Sequence, residues 1–398
     1  MKEYRYVIVG GGMAAHAAAQ GIREIDEHSP IGVFSQETTP PYRRPALSKD
    51  LWKGEEFDSA KLDDLDDNTN LHLGERIASI DPRAHRIKNA QGEEYGYEKL
   101  LFVTGGRVRR LPFDDRFVQY YRTVQDYKKL HELTGQGKEF LVIGGGFIGS
   151  EVAAALAMND EKVTMAFPER GIGGKIFPEE LSVWLNDYYR KKGVTVQAGV
   201  QVTGTEQKDG RMEVYTSHPH SLSADHIVAG IGIDPDTLLA EEAGIDVDDG
   251  IVVDEFLRTA ATDVYAAGDV AAFRNPALGM RTRVEHEDNA LTMGRLAGKN
   301  MALQHNGKEA EAYNHQPMFY SDLFDLGYEA VGQLDAGLET VIDWAEPYQK
   351  GIIYYLSDDR VRGVLLWNVW EKVDDARALI AHPGPFTAGK LKEWRLEM

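Results

Sequence analysis

The sequence predicts an α/β fold, two three-layer domains followed by a C-terminal α+β domain, and three observations predict it. A short apolar run, Tyr6-Val7-Ile8-Val9, feeds directly into Gly10-Gly11-Gly12 and an Ala-rich stretch. The same order recurs at Phe140 to Ile143, Gly144-Gly145-Gly146 and a second Ala-rich stretch. From Tyr313 onward the pattern changes to short β-rich runs separated by turn residues.

Each element follows from its residues. The first apolar run lacks a helical period and reads as a strand, Ala14 to Ile25 as a helix whose small side chains allow close packing, and Ile31 to Phe34 as the next strand. In such a βαβ unit Gly10 makes the tight turn, Gly12 admits a pyrophosphate to the helix N-terminus, and Ala15 lets helix and strand approach. A turn of purely structural purpose explains one such motif. The second copy has Gly144, Gly146 and Gly149 at the full spacing, an Ala-rich helix over Glu151 to Met158 and a strand over Val163 to Phe167. Two copies with correct flanks make both domains Rossmann-like and imply two dinucleotides. The economical pairing is one tightly held FAD and one exchangeable nicotinamide. Between the copies, Leu100 to Val103 reads as a strand leading into Thr104-Gly105-Gly106. Asp263 to Ala267 reads as another, ending in Gly268-Asp269. A carboxylate at a strand's C-terminal end lies where ligands bind in open α/β sheets, and a turn residue or helix cap is the alternative for Asp269. A helix over Asp288 to Met301 follows Glu285-His286. The tail carries β runs at Glu329 to Leu334, Lys350 to Leu356 and, after the Asp358-Asp359 turn, Val361 to Trp370, then a helical stretch from Asp374. The expected domains are residues 1–115 with 246–312 for FAD, 116–245 for NAD(P)H, and 313–398 as an α+β interface domain.

Composition narrows the chemistry. Cysteine is absent, which excludes a redox disulfide, a thiolate nucleophile and a cysteine-held zinc or iron–sulfur centre. None of the 12 histidines shows metal-ligand spacing, so no metal is expected. A formal charge of −20 repels nucleic acid and anionic membranes. Arg107, Arg109 and Arg110 are either a local dock for a partner or a solvated loop. No window has the roughly 18 consecutive apolar residues of a membrane span, and a strand beginning at Arg5 leaves no room for a leader, so a cytoplasmic protein is expected.

Five segments carry a family likeness: Pro41-Tyr42-Arg43-Arg44-Pro45-Ala46-Leu47-Ser48-Lys49, Gly144 to Glu151, Gly268-Asp269, Val284-Glu285-His286, and His315-Gln316-Pro317-Met318-Phe319-Tyr320-Ser321-Asp322. Over nearly its whole length the chain resembles the FAD-dependent pyridine nucleotide-disulfide oxidoreductases, in their apoptosis-inducing-factor-like and ferredoxin-reductase-like branch. The resemblance implies that Arg44 and Lys49 line the flavin, that Lys49 pairs with Glu151 beside its reactive face, and that Phe147 gates the nicotinamide position. The helix after His286 would direct its N-terminus at the flavin; a core or capping role is the alternative for this histidine. The FAD set is then Gly10, Gly12, Ala15, Gln36, Glu37, Arg44, Lys49, Thr104, Gly105, Asp269, Glu285 and His286. The NAD set is Gly144, Gly146, Phe147, Ile148, Gly149, Glu151, Glu169, Gly232, Glu285 and Tyr320, with Lys49 and Glu151 as the catalytic pair. Three departures stand out. Gln36, with Glu37 next to it, occupies the place of the family's ribose-binding acid. Glu169 comes two residues late for the second ribose, and Arg170 and Lys175 are near enough to favour a phosphate instead; NADH is nevertheless expected, with NADPH the alternative. The long insertion of animal members is missing between Val341 and Lys350. Trp367 is a second aromatic that could approach the flavin, with core packing its commoner fate.

The implied reaction is hydride transfer from NADH to FAD, with electrons passed on to a quinone, oxygen or small iron protein. A dedicated ferredoxin or rubredoxin reductase is one alternative. Another is an NADH-sensing redox switch with a stable flavin–NAD charge-transfer complex and slow turnover. A homodimer, in one form dependent on NADH, is expected by the same likeness.

Overall fold

The computed structural model describes residues 2–391 and Leu396; residues 392–395 and 397–398 of the expected third domain lie outside the described residues. The chain divides into two compact units. The first comprises Met1–Arg43, Phe57–Arg107 and Asp234–Pro317, and the second Arg44–Glu56, Val108–Ile233 and Met318–Met398.

In the first unit, strands Thr69–Leu73, Ile31–Ser35, Lys2–Val9 and Glu94–Phe102 lie side by side in that order, all parallel. The second half of Glu94–Phe102 also pairs with Val264–Ala266, and its first half turns antiparallel to Arg86–Asn89. The register sets Tyr6 beside Ile31 and Val7 beside Leu100, so apolar strands buried on both faces form the centre of the unit. Helix Met13–Arg23 lies in this core, and helix Glu287–His305 packs directly on it. Their contact depends on glycine: a Cβ on Gly21 would sit 1.9 Å from the Arg295 carbonyl oxygen, one on Gly294 2.4 Å from that of Ala14, and one on Gly298 2.0 Å from that of Ala18. The small residues therefore serve a helix–helix contact as well as the helix–sheet contact expected from the sequence.

The second unit holds a five-stranded parallel sheet in the order Thr195–Ala198, Lys162–Phe167, Glu139–Ile143, His226–Ala229, Val118–Tyr120. Helix Phe147–Met158 starts four residues before the expected Glu151, immediately after Gly146. A separate antiparallel sheet orders Met318–Leu323, Leu326–Gly332, Arg360–Trp367, Lys350–Ser357 and Glu339–Glu346. The last two strands form a hairpin closed by residues 347–349, a short connection in the segment expected to lack an insertion. Helix Val373–Ala381 covers this sheet with Ala376 and Ile380 fully buried. The strand expected to reach Trp370 ends at Trp367 instead, because Asn368 and Glu371 adopt positive φ of 49° and 63° and turn the chain away. Among the described residues no helix is long and apolar enough to cross a membrane.

Candidate active site

Both Gly-rich turns have the backbone a diphosphate requires. In the first unit Gly10 has φ +127°, and a Cβ there would lie 2.1 Å from the Val103 carbonyl oxygen, so glycine is obligatory. Gly12, by contrast, faces open space, with nothing within 4 Å of where a Cβ would stand. The helix that follows has neither a side-chain N-cap nor an acidic residue in its first turn. Helices Glu179–Lys191, Glu287–His305 and Val373–Ala381 all place acids there. Open space ahead of an uncapped helix N-terminus suits a bound phosphate. The second turn repeats this: Gly144 has φ +120° against the Gly230 carbonyl, Gly146 faces open space, and the helix starts with no side-chain cap and no acid. Both turns thus fit the pyrophosphate of a dinucleotide.

Around the first turn the structure gathers several of the expected flavin residues. Gly268 lies against Ala14, 3.1 Å from a would-be Cβ, which sets Asp269 in a 3-10 turn beside the helix start. Ser35 abuts Gly11, so Gln36, which is exposed, and Glu37, whose carboxylate accepts a 2.8 Å hydrogen bond from Tyr42, follow at the rim. Ala15 is fully buried. Thr104 donates to the Asp236 carbonyl at 2.7 Å, and the Gly105 carbonyl accepts from the Asp236 amide at 2.9 Å. His286 is the N-cap residue of helix Glu287–His305 without a side-chain cap bond, and burial of its ring lowers its pKa to about 4 despite the opposing charge of Asp288. Glu285 is exposed and accepts from Arg283 at 2.6 Å.

In the second unit the expected pair is formed. Lys49 Nζ donates to Glu151 Oε1 at 2.7 Å, with side-chain exposures of 7% and 3%. Pro45 helps start a 3-10 turn at Arg44–Ser48, and a second turn, Asp50–Lys53, follows; Lys49 between them leaves helical geometry (φ −127°, ψ −93°). The turns are pinned where Trp52 Nε1 donates to the Leu47 carbonyl at 2.8 Å and the Tyr121 hydroxyl donates to the same oxygen. Two further donors meet Glu151 that the sequence reading missed: Ser48 Oγ on Oε2 and Ser321 Oγ on Oε1, each at 2.5 Å. Ser48 could have been found as the neighbour of Lys49, whereas Ser321 is 170 residues from Glu151 and no spacing signals it. The carboxylate therefore has donors that compensate its desolvation. The Lys49 ammonium also stands 5.1 Å from the centre of the Tyr320 ring, a cation–π distance. Phe147 packs edge-on to Phe319 at 5.3 Å. Arg44 donates to the Arg122 carbonyl at 3.0 Å.

At the second strand end, Glu169 pairs with Lys175 at 3.4 Å and Arg170 with Glu179 at 2.6 Å, so each cation near this position faces a carboxylate. Ile148 and Gly232 are exposed near the second turn's ends, and Gly149 is buried against Gly144. Trp367 is wholly buried, stacked on Tyr328 at 5.7 Å and donating to the Tyr348 carbonyl at 2.9 Å, and so belongs to the core of the C-terminal sheet. Arg107 and Arg110 are bound to Asp236 and Asp115. No group of acidic or histidine side chains among the described residues could hold a metal.

Comparison with known proteins agrees with this geometry. The model of the pyridine nucleotide-disulphide oxidoreductase family matches residues 4–294, and that of the C-terminal region of mitochondrion-associated apoptosis-inducing factor matches 297–348 and 344–382. The chain is 34% identical to apoptosis-inducing factor 1 of Dictyostelium discoideum, covering 96% of this chain and 79% of that protein. It is 32% identical to monodehydroascorbate reductase of Pisum sativum, covering 96% and 95%. Among solved structures, putidaredoxin reductase in covalent complex with putidaredoxin matches with a TM-score of 0.89 at 28% identity, covering 98% and 96%. The chain belongs to the pyridine nucleotide-disulphide oxidoreductases and is an FAD-dependent NAD(P)H oxidoreductase, one that works without any cysteine.

Proposed function

We propose that the first Gly-rich turn holds FAD, that the second holds NADH in preference to NADPH, and that Lys49 and Glu151 serve the hydride transfer between them. The observation that carries this reading is the buried Lys49–Glu151 pair at 2.7 Å, in the same unit as the second Gly-rich turn. When bound, the flavin supplies the hydride acceptor and the route for electrons onward. Lys49 then offers a positive charge and a hydrogen-bond donor where negative charge develops, and Glu151 holds that donor in one orientation. Phe147 and Tyr320 frame the nicotinamide, and Arg44, Asp269, Glu285 and His286 line the flavin. The NADH preference is supported by Lys175 and Arg170 being paired with Glu169 and Glu179, which offsets their positive charge and disfavours a 2′-phosphate at this strand end.

The domain division proposed is 1–115 with 246–312 for FAD, 116–245 for NADH and 313–398 for the interface. A cytoplasmic homodimer completes the proposal and rests on the family likeness. The electron acceptor is proposed to be a small molecule such as a quinone or oxygen, because a net charge of −20 opposes an acidic protein partner. A small iron protein is the second reading, favoured by the likeness to putidaredoxin reductase bound to its partner.

The test is an anaerobic titration of the holoprotein with NADH, followed by admission of air and of candidate acceptors. Rapid return of the oxidised flavin spectrum with quinone or oxygen supports the small-molecule reading, and return only with an iron protein supports the second. A long-wavelength band that persists in air points to a redox sensor, to be followed by sedimentation with and without NADH.

A further inference from the structure

Glu151 is fixed from a strand remote in sequence. Ser321, 1% exposed on strand Met318–Leu323, donates its hydroxyl proton to Glu151 Oε1, the oxygen that also receives Lys49. A serine hydroxyl has one proton, so with that proton committed its lone pairs are left to accept. Tyr328 stands opposite Ser321 in the register of the adjoining strand, and the two hydroxyls interact. Burial and the charge of Glu151 raise the Tyr328 pKa well above its usual range, outweighing the contact with Ser321 that lowers it, so the phenol stays protonated. Its ring cannot turn aside, stacked on Trp367 and edge-on to Phe177 at 5.4 Å.

Resting on the proposed role of Lys49 and Glu151, we infer that Ser321 is a positioning residue, held by Tyr328, which fixes the Glu151 carboxylate and through it the direction of the Lys49 ammonium. Ser321 donates to Glu151 Oε1, where Lys49 also donates, and Tyr328 backs Ser321 from the adjoining strand. The C-terminal sheet thereby sets the geometry of the catalytic pair. Without the Ser321 hydroxyl, Glu151 keeps Lys49 on Oε1 and Ser48 on Oε2 but loses one of its three anchors, so the carboxylate has more freedom to turn about Cγ–Cδ.

The test compares Ser321→Ala, Ser321→Thr, Tyr328→Phe and Glu151→Gln as flavin-loaded proteins. Its readouts are the midpoint potential of the bound flavin, the rate of anaerobic reduction by NADH, the KM for NADH and the thermal midpoint. Ser321→Ala is expected to slow reduction about tenfold with KM nearly unchanged, and to make the potential more negative, because Lys49 is no longer directed. Ser321→Thr restores both, and Tyr328→Phe falls between. If Ser321→Ala matches the wild type in rate and potential while Glu151→Gln does not, Ser321 is merely structural and the inference is overturned. If Glu151→Gln also matches the wild type, the fault lies with the assignment of the pair itself. Should Ser321→Ala fail to load flavin, Tyr328→Phe carries the decision: wild-type rate and potential there overturn the inference.

Discussion

Gly12 and Gly146 begin their helices at nearly the same angles, φ −94° and −84° with ψ −166° and −164°, yet the two turns are built into different surroundings. Under the first lie the Val103 carbonyl and Ser35, and under the second the Gly230 carbonyl and the ring of Phe167. Helix Met13–Arg23 buries nine of its 11 residues, including Ala17, Ala18 and Ala19, because helix Glu287–His305 covers the side away from the sheet. Helix Phe147–Met158 leaves Ile148 37% and Met158 44% exposed and turns Glu151 inward to Lys49. A turn enclosed by a second helix suits a resident group, and one on a partly open helix that carries an acid suits a substrate that comes and goes. One backbone motif thus acquires two different surroundings, and these support the two purposes proposed for it.

Substitutions at the first glycine of each turn should have the largest effect. Gly10→Ala and Gly144→Ala each force a Cβ at positive φ into a carbonyl 2.1 or 2.4 Å away, at a cost of about 3–5 kcal/mol. Urea unfolding of the holoproteins measures it, and a wild-type midpoint for either would show that its turn is not the rigid element described. Next comes Glu151→Ala, which leaves the Lys49 charge buried without its carboxylate and is expected to destabilise by about 3 kcal/mol while slowing reduction by NADH. Stability and stopped-flow rates unchanged from wild type would remove Glu151 from the catalytic pair. The Cβ of Gly12→Val or Gly146→Val would have nothing within 4 Å, so both variants should fold and their effects separate the turns by ligand. The first should lose its yellow colour. The second should stay yellow but need about a hundredfold more NADH, close to 2.7 kcal/mol. The opposite result would exchange the two assignments.

Smaller effects sharpen the picture of the first turn. The His286 pKa of about 4 lies below its unfolded value of 6.5, so the folded state resists protonation. Stability from this group is present above pH 6.5 and is lost as pH falls towards 4, by about 1–2 kcal/mol allowing for its partial exposure. His286→Gln should flatten the denaturation profile over that window, and an identical slope would argue against an enclosed ring. Least of all, Ala15→Gly should cost about 0.5–1 kcal/mol in helix propensity, since the buried Ala15 Cβ is accommodated, whereas a Cβ on Gly149 would meet the Gly144 carbonyl at 2.2 Å. Thermal midpoints of Ala15→Gly and Gly149→Ala therefore test whether the third position differs between turns as the packing indicates.

Local sequence determined a large part of this protein. The apolar runs at Tyr6 to Val9 and Phe140 to Ile143 became strands, and the glycines at 10 and 144 took the positive φ that tight turns require, because both signals act over a few residues. The absence of cysteine bounded the chemistry in the same direct way. Other features needed the folded chain. Trp370 reads as a continuation of its strand until Asn368 turns left-handed, and Gly294 and Gly298 look like weak points in a helix until Ala14 and Ala18 press against them. The surroundings of Glu151 show the limit most clearly. Its pairing with Lys49 was expected only by family likeness, and the same likeness included Ser321 without giving it a role, since a hydrogen bond across 170 residues has no local signature. Sequence by itself determined the two nucleotide-binding turns; tertiary packing decided what encloses each of them and which side chains hold the carboxylate still, because those contacts join segments whose proximity exists only after the sheets have formed.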